Sequence, residues 1–298
     1  MKSSKDLIIN LNKPSGITSQ QAVTGVKRLL GVKKAGHTGT LDPMATGVLL
    51  VCLNEATKVS RFLLNLDKRY RATVKLGERT DTYDSEGRII EKKNPSFLKE
   101  DEVVSVVRGF VGSIVQKPPM YSAVKVDGKK LYELARKGIE IKRPERRINI
   151  YDLQVSGFNM PFFDLEVSCS KGTYIRTLCD DIGTALGTGA HLFSLERSAV
   201  GSFDVKKAAS PEDLSKEDFF QIKKESYYTI DEALSGLKEI LLNEVDCRSA
   251  KNGLPIKLNQ INGLHDDDFV KLKGPCGNLF GIGRTDSGLI LIERILNI

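Results

Sequence analysis

The sequence predicts a mixed α/β fold of the α+β class: a large, mainly antiparallel central sheet with flanking helices, followed by a small C-terminal β-barrel-like domain. The length of 298 residues fits two domains of roughly 150 residues each. Strand-like and helix-like patterns are interspersed as far as residue 236. Residues 253–298 contain short apolar runs separated by glycines, which is typical of a small β domain. We therefore place the domain boundary between residues 236 and 237.

The first predicted elements enclose a glycine-rich loop. Leu7–Leu11 has the pattern of a short strand and leads into a turn that contains proline and glycine. Ser19 is predicted to cap a helix of about three turns. The loop 36–43 then precedes a continuous apolar run, Gly47–Leu53, that predicts a buried strand. We expect the loop to be held between these two packed elements.

The downstream patterns complete the predicted first domain. They predict, in order, the strand Tyr70–Leu76, a hairpin turn at Thr80–Gly87, the amphipathic helix Leu98–Phe110, a helix at Leu131–Lys137, the paired strands Arg147–Val155 and Phe163–Ser170, the helix Thr173–Leu186 and short helices within Pro211–Leu234. The last of these stretches is acidic and leads to the domain boundary.

The composition excludes several classes of protein. No stretch approaches the ~18 consecutive apolar residues of a membrane helix, and the apolar start is too short for a signal peptide, so we expect a cytoplasmic protein without membrane contact. Five cysteines without a CxxC pair and three histidines without ligand spacing argue against a zinc site. We therefore expect carboxylate, tyrosine, arginine and lysine side chains to carry any chemistry, without a metal.

The basic charge is concentrated in one segment. The net charge is +7, and residues 117–147 contain ten basic against four acidic side chains, which leaves an excess of six. A local basic excess is expected where a protein contacts a phosphate backbone. A solvated basic face is the alternative interpretation of such a run.

Nucleotide-binding and hydrolase motifs are incomplete. Gly31–Thr38 resembles a phosphate-binding loop, but His37 stands where a lysine is required, and a helix rather than a strand precedes it. The pair Gly281 and Gly283 lacks the third glycine of a dinucleotide site, and no GxSxG sequence is present. NTPase, dehydrogenase and hydrolase functions therefore find no support.

The loop 36–47 is the densest group of reactive and turn-forming residues. It contains three glycines, three threonines, Pro43 and one carboxylate, Asp42. Because the residue before a proline is restricted to extended conformations, Asp42 is presented rigidly. A structural aspartate that accepts hydrogen bonds within a tight turn is the common alternative.

Several segments in this order resemble the TruB-type bacterial tRNA pseudouridine synthases. They are Leu11–Gly16, Gly36–Gly47, Lys68–Tyr70, Leu76–Gly77, Thr80–Asp84, Pro118–Lys125, Lys171–Leu178, Gly189–Leu192 and Leu195–Arg197. The resemblance spans about residues 8–205, and the glycine-rich tail resembles a PUA RNA-binding domain. It implies a pseudouridine synthase catalytic domain at 1–236 and a PUA-like domain at 237–298.

The resemblance also implies roles for individual residues. Asp42 would be the catalytic carboxylate, Arg176 the arginine that pairs with it and Tyr70 the tyrosine that stacks on the target base. Among the substrate-binding positions, Tyr174 and Leu195 would line the pocket, and His37 would fill the space left by the everted base or stack against it. Lys13 matches a lysine near the site, for which we expect a role in orienting the loop.

The implied reaction is the isomerisation of uridine 55 in the T loop of tRNA, which requires no cofactor. Whether Asp42 attacks C1′, adds to C6 or removes a C2′ proton stays open. Four cations of the basic segment, Lys129, Lys130, Arg146 and Arg147, are expected to contact the RNA backbone. We expect a monomer that uses no guide RNA, since the segment can hold a stem-loop by itself. The alternatives are a guide-RNA-dependent relative and a catalytically silent RNA-binding protein on the same fold.

Overall fold

The computed structural model describes residues 5–122, 125–126, 128–135, 138–257 and 263–298. A large sheet forms its centre, as the sequence predicts. The strands of this sheet are β1 (Leu7–Lys13), β2 (Ala35–His37), β3 (Thr46–Leu53), β4 (Lys68–Leu76), β7 (Gly112–Gln116), β10 (Arg146–Asn159), β11 (Phe162–Cys169), β12 (Ala190–Val200), β13 (Phe203–Asp204) and β14 (Tyr227–Thr229).

The sheet is mainly antiparallel. Its main path runs β14-β1-β3-β12-β4-β11-β10-β7, with β2 beside β3 and β13 beside β12. Among its described ladders, β3 and β12 alone pair in parallel. Strand β12 was not predicted, although it lies at the middle of the sheet between β3 and β4.

Alternate residues of the central strands belong to two different apolar clusters. Ile9 and Leu11 of β1 belong to one cluster, and Ile8 belongs to the other. Because successive side chains of a strand point to opposite faces, the two clusters lie on opposite sides of the sheet. This explains why β3 has no polar side chain from Gly47 to Leu53, where it is buried on both faces.

The helices of the described ranges are short, and none is long and apolar enough to span a bilayer. They are α1 (Ser19–Leu29), α2 (Ser60–Leu64), α3 (Glu100–Arg108), α4 (Leu131–Ala135), α5 (Ile175–Ala185), α6 (Pro211–Leu214), α7 (Phe219–Ile222), α8 (Ile230–Ala233) and α9 (Glu244–Lys251). Helices α1, α3 and α5 contribute Val23, Val103 and Leu178 to the larger cluster.

The N-cap of α1 is Thr18 rather than Ser19. Thr18 has an extended backbone and forms a capping box with Gln21. The Ser19 side chain is buried instead, where its hydroxyl accepts a hydrogen bond from the Leu41 amide at 2.8 Å and lies 3.0 Å from the Leu41 carbonyl oxygen. The helix start therefore holds the residue that precedes Asp42.

The structure contains the hairpin predicted around the turn Thr80–Gly87. The basic segment, residues 117–147, contains two short strands and a short helix. Strands β5 (Glu78–Thr80) and β6 (Ile89–Lys92) pair around the predicted turn. Within the basic segment, β8 (Lys125–Val126) pairs with β9 (Lys129–Lys130). The last two residues of the predicted helix Leu131–Lys137 lie outside the described residues.

A second sheet forms the C-terminal part. It contains β15 (Lys238–Leu241), β16 (Ile256–Lys257), β17 (Phe269–Lys273), β18 (Leu279–Asp286) and β19 (Leu289–Ile295), and it curls into a half-barrel. It packs directly on the first part, because Ile282 and Leu296 share an apolar cluster with Val48 and Phe62. The two parts are therefore joined by a common core.

Candidate active site

Four residues lie in a row across the centre of the large sheet. The register pairs Lys13 of β1 with Gly47 of β3, Gly47 with Arg197 of β12, and Arg197 with Tyr70 of β4. Since facing residues on adjacent strands share a face, the register gathers side chains that are far apart in the sequence. The loop that carries Asp42 joins β2 to β3 beside this row.

The loop is held in place by backbone and side-chain hydrogen bonds. The Ala45 amide donates to the Asp42 carbonyl oxygen at 3.1 Å, which closes a tight turn around Pro43. The Gly16 amide donates to the Pro43 carbonyl oxygen at 2.9 Å. The Ser15 hydroxyl reaches the Met44 carbonyl oxygen, also at 2.9 Å. These bonds agree with the rigid presentation that the Asp-Pro sequence predicts.

Asp42 and Arg176 form a two-point ion pair. Arg176 Nη2 donates to Asp42 Oδ1 at 3.0 Å, and Nε lies 2.9 Å from Oδ2. The side chain of Arg176 is 5% exposed, whereas that of Asp42 keeps 30% of its surface accessible. The arginine comes from the first turn of α5. The carboxylate is therefore oriented from the interior and remains open on one side.

Arg176 also connects the loop to two other segments. Its Nη1 donates to Asp84 Oδ2 at 3.1 Å, and its Nη2 donates to the Tyr121 carbonyl oxygen at 2.9 Å. Asp84 is buried and accepts hydrogen bonds from the Thr82 hydroxyl and the Glu86 amide. Asp84 ends the family-like segment Thr80–Asp84, but the resemblance implies no role for it. The presence of a carboxylate in the polar turn Thr80–Gly87 was the one feature of the sequence that could have indicated a site role for Asp84.

The charges around Asp42 act in opposite directions. Removal from water raises the pKa of Asp42 above its usual value, and the negative charge of Asp84 raises it further. Arg176 opposes this rise most strongly, with smaller contributions from Lys13 and Arg197. The contact of both carboxylate oxygens with Arg176 favours the ionised form of the pair.

Tyr70 and Leu195, for which the resemblance implies roles at a pocket, lie on the paired strands β4 and β12. Tyr70 is half-buried on β4, beside Arg197. Burial raises its pKa to about 12, so its hydroxyl stays protonated at neutral pH. Leu195 faces Ala72 across the ladder and belongs to the same apolar cluster as Leu41, the neighbour of Asp42.

Lys13 and His37 border the loop. Lys13 is fully buried, and its Nζ donates to the carbonyl oxygens of Pro14, Ile17 and Pro43 at 2.7, 2.8 and 3.2 Å. Burial lowers its pKa to about 8. The Gly39 amide donates to His37 Nδ1 at 3.3 Å. Burial and the charge of Arg197 lower the pKa of His37, which favours a neutral ring.

Tyr174 is the N-cap residue of α5, and its backbone is held by a buried amide. Its N–H donates to Gln116 Oε1 at 3.0 Å, and its carbonyl oxygen accepts from Gln116 Nε2 at 3.2 Å. Gln116 ends β7, directly before the basic segment. The pair of hydrogen bonds fixes the start of the helix that carries Arg176, a role that the sequence did not indicate.

The cations assigned to the RNA backbone fall in the basic segment and at the start of β10. Arg147 is exposed, and its Nη1 lies 3.4 Å from the Ser113 hydroxyl, whereas Arg146 is partly buried. The side chains of Lys129 and Lys130 lie outside what the structure describes. Arg143 is buried and donates to the Pro118 carbonyl oxygen at 3.1 Å, so it stabilises the segment internally.

The arrangement combines an oriented carboxylate, a buried arginine and a tyrosine beside an apolar wall. These groups can serve as nucleophile or base, as charge partner and as a stacking surface for a planar ring. Within the described ranges, no group of three histidine, cysteine or acidic side chains is arranged to hold a metal ion.

Comparison with known proteins identifies the family. Residues 27–175 match the model of the TruB family pseudouridylate synthase N-terminal domain, and residues 176–242 match the tRNA pseudouridylate synthase B C-terminal domain. A tRNA pseudouridine synthase B from Clostridium tetani is 47% identical over 97% of this chain and 99% of its own length. A tRNA pseudouridine synthase B from Vibrio cholerae is 39% identical over 97% of this chain and 95% of its own length.

A solved structure shares the fold. The match is to a chain in a Cbf5-Nop10-Gar1 complex, with a TM-score of 0.75 and 26% identity over 98% of this chain and 85% of that one. Together with the family matches, this similarity covers both the large sheet and the C-terminal sheet. The chain belongs to the TruB family of pseudouridylate synthases.

Proposed function

We propose that this chain, an enzyme of tRNA pseudouridylation, isomerises uridine 55 in the T loop and uses Asp42 as its catalytic carboxylate. The observation that carries the proposal is the two-point pair of Asp42 with buried Arg176, placed near the row that contains Tyr70. The relatives with high identity bear the name tRNA pseudouridine synthase B, which supports tRNA as the substrate.

The reaction rearranges atoms within one nucleotide. The N1–C1′ bond breaks, the uracil turns, a C5–C1′ bond forms, and a proton leaves C5 while N1 gains one. No redox step or cofactor is required for this balance. A carboxylate held by an arginine can attack C1′, add to C6 or remove a C2′ proton, and the geometry of the protein alone is compatible with each.

The neighbouring side chains provide what a detached base requires. A uridine inside a folded loop must be everted before the Asp42 carboxylate can reach it. The ring of Tyr70 offers a stacking face worth roughly 1–3 kcal/mol per base. In this proposal Leu195 and Tyr174 extend the wall of the pocket, and His37 fills the space that the base vacates. The apolar wall also excludes water from the intermediate.

The RNA partner is the T arm, held by the basic segment without a guide RNA. Lys129, Lys130, Arg146 and Arg147 contact its phosphates, and the C-terminal sheet, at residues 237–298, acts as a PUA-like RNA-binding domain beside the catalytic domain 1–236. The protein works as a cytoplasmic monomer. The solved neighbour stands in a complex with Nop10 and Gar1, whereas the basic segment gives this chain its own means of holding a stem-loop.

The test is Asp42→Asn in the full chain with an unmodified T-arm transcript. This change preserves shape but removes the nucleophile or base, so we expect no pseudouridine in a single-turnover assay. We expect RNA affinity to be retained or slightly increased, because one negative charge near phosphates is lost. Mapping of the modified nucleotide tests the choice of uridine 55 in the same experiment.

The matched control is Asp164→Asn. Asp164 is an exposed residue of β11 that accepts a hydrogen bond from Thr73 at 2.7 Å. The same chemical change there should leave the rate unaltered. Pseudouridine formation by Asp42→Asn would contradict the role of Asp42. A wild-type protein that binds the transcript without modifying it would favour the silent RNA-binding alternative.

A further inference from the structure

Arg197 is a buried cation that contacts no carboxylate in the ranges that the structure describes. Only 3% of the residue is exposed. Its Nε donates to the Val48 carbonyl oxygen at 2.7 Å and its Nη2 to the Gly39 carbonyl oxygen at 3.1 Å, while Nη1 lies 3.5 Å from the Thr40 carbonyl oxygen. Buried charges are usually paired with an opposite charge, so the position of this guanidinium requires another explanation.

The three carbonyl groups flank Asp42. Gly39 and Thr40 precede it in the loop, and Val48 follows it in β3. Because Arg197 belongs to β12, its guanidinium fastens both ends of the loop to the neighbouring strand. Three directed hydrogen-bond donors on one planar group limit how the loop can move. The loop is therefore fixed by the sheet as well as by Arg176.

The charge of Arg197 reaches the reactive groups of the site. It lowers the pKa of Asp42 against the effect of burial, and it acts in the same direction on Tyr70 and His37. Its backbone lies directly opposite Tyr70 in the ladder. Arg197 thus contacts the loop that carries Asp42, and its charge acts on both Asp42 and Tyr70.

We propose that Arg197 is a positioning residue for the isomerisation: it fixes the Asp42 loop before RNA binds and supplies the positive charge beneath it. This proposal rests on the proposed role of Asp42. In an enzyme whose reacting carboxylate stands on a loop, a displacement of about 1 Å can cost roughly 100-fold in rate. A group that prevents such displacement contributes to the rate without touching the substrate.

Two variants of the full chain separate the two contributions of Arg197. Arg197→Gln removes the charge and most of the donors, and Arg197→Lys keeps the charge but cannot reach all three carbonyl groups. We expect both to bind T-arm RNA almost as the wild-type protein does, because Arg197 is buried. The single-turnover rate should fall by about 100-fold in Arg197→Gln and by less in Arg197→Lys.

The dependence of the rate on pH distinguishes positioning from a purely structural role. The acid limb is the part of the pH–rate profile in which the rate falls as the pH decreases. In Arg197→Gln this limb should move to higher pH, because a cation that opposes protonation of Asp42 is lost. In Arg197→Lys the limb should stay at the wild-type pH. The other charged groups that act on Asp42 or respond to it are unchanged in both variants: Arg176, Asp84, Lys13 and Glu86.

Lys68→Met is the matched control. Lys68 is a second buried cation, whose Nζ donates to the backbone carbonyl oxygens of Leu64 and Leu66. It is not among the charges that shift the pKa of Asp42. The change should lower thermal stability without moving the acid limb.

The outcomes separate this proposal from the proposed function. A wild-type rate and acid limb in Arg197→Gln, with Asp42→Asn inactive, would overturn the role of Arg197 alone. If Arg197→Gln does not fold, a wild-type rate in Arg197→Lys would overturn it equally. A wild-type protein that makes no pseudouridine would overturn both proposals.

Discussion

The carboxyl group of Asp42 lies between opposing electrostatic influences. Burial and Asp84 raise its pKa, and Arg176, Lys13 and Arg197 lower it, with a net rise above the usual value of about 4. A raised pKa means that the group takes up its proton at a higher pH than an ordinary aspartic acid does.

We therefore expect the single-turnover rate to fall on acidification at a pH above the usual range of aspartic acids. In the role proposed for Asp42 the carboxylate must be ionised, and the ionised form is depleted as the pH decreases towards the raised pKa. Rates of RNA already bound to the protein, measured from neutral to mildly acidic buffer, provide the test. Circular dichroism of the protein and melting of the RNA serve as controls. A rate that stays level until the ordinary range of aspartic acids would contradict the prediction.

The parallel contact of β3 and β12 depends on Gly47. The backbone of Gly47 has a φ of +102°, and a Cβ atom there would lie 2.9 Å from the Arg197 carbonyl carbon and closer still to its oxygen. Only a glycine allows the two strands to approach at the point where the loop enters the sheet.

Gly47→Ala should therefore destabilise the protein by more than about 2 kcal/mol and should impair catalysis, because both the backbone angle and the strand contact are lost. Gly31→Ala is a suitable comparison. Gly31 has a φ of +63°, but a Cβ atom would meet nothing within 4 Å. That change should cost only about 1 kcal/mol of backbone strain. Denaturant unfolding of both variants tests this difference, and equal losses would contradict the steric explanation.

Of the net charge of +7, an excess of six belongs to residues 117–147. The structure connects this segment to the site, because Arg176 donates to the Tyr121 carbonyl oxygen and Gln116 holds the start of α5. RNA held by the segment would therefore lie close to the elements that support Asp42.

We expect RNA binding to depend strongly on salt, with log K falling by about 0.7–0.9 per unit of log[salt] for each phosphate contact. Replacement of Lys129, Lys130, Arg146 and Arg147 by alanine should weaken binding and flatten this slope. The rate of bound RNA should change little, because none of the four matches a position to which the resemblance gives a catalytic role. Filter binding at several salt concentrations measures the slope.

The control for this experiment replaces four cations outside the segment that already pair with acidic side chains: Lys92, Lys93, Lys216 and Lys223. The change in net charge is the same, but the slope should remain close to that of the wild type. An unaltered slope in the first variant would instead indicate a solvated basic face.

Local sequence patterns were sufficient to predict much of the fold. The apolar run of β3, the paired strands β10 and β11, and the helix α5 could be predicted because each depends on periodicity or turn residues within a short stretch. The Asp-Pro pair likewise indicated a rigid carboxylate. The roles of Arg176 and Tyr70 came from the resemblance, since neither residue type in isolation indicates a site.

The tertiary structure decided which distant residues meet. Asp42 and Arg176 are separated by 134 positions, and the row of Lys13, Gly47, Arg197 and Tyr70 exists only through the register of four strands. Strand β12, which completes that row, was missed. Local periodicity carries no information on strand order, because pairing is determined by the packing of both sheet faces together. For the same reason, the buried charge of Arg197 and the contact of Asp84 with Arg176 became visible only in the folded chain.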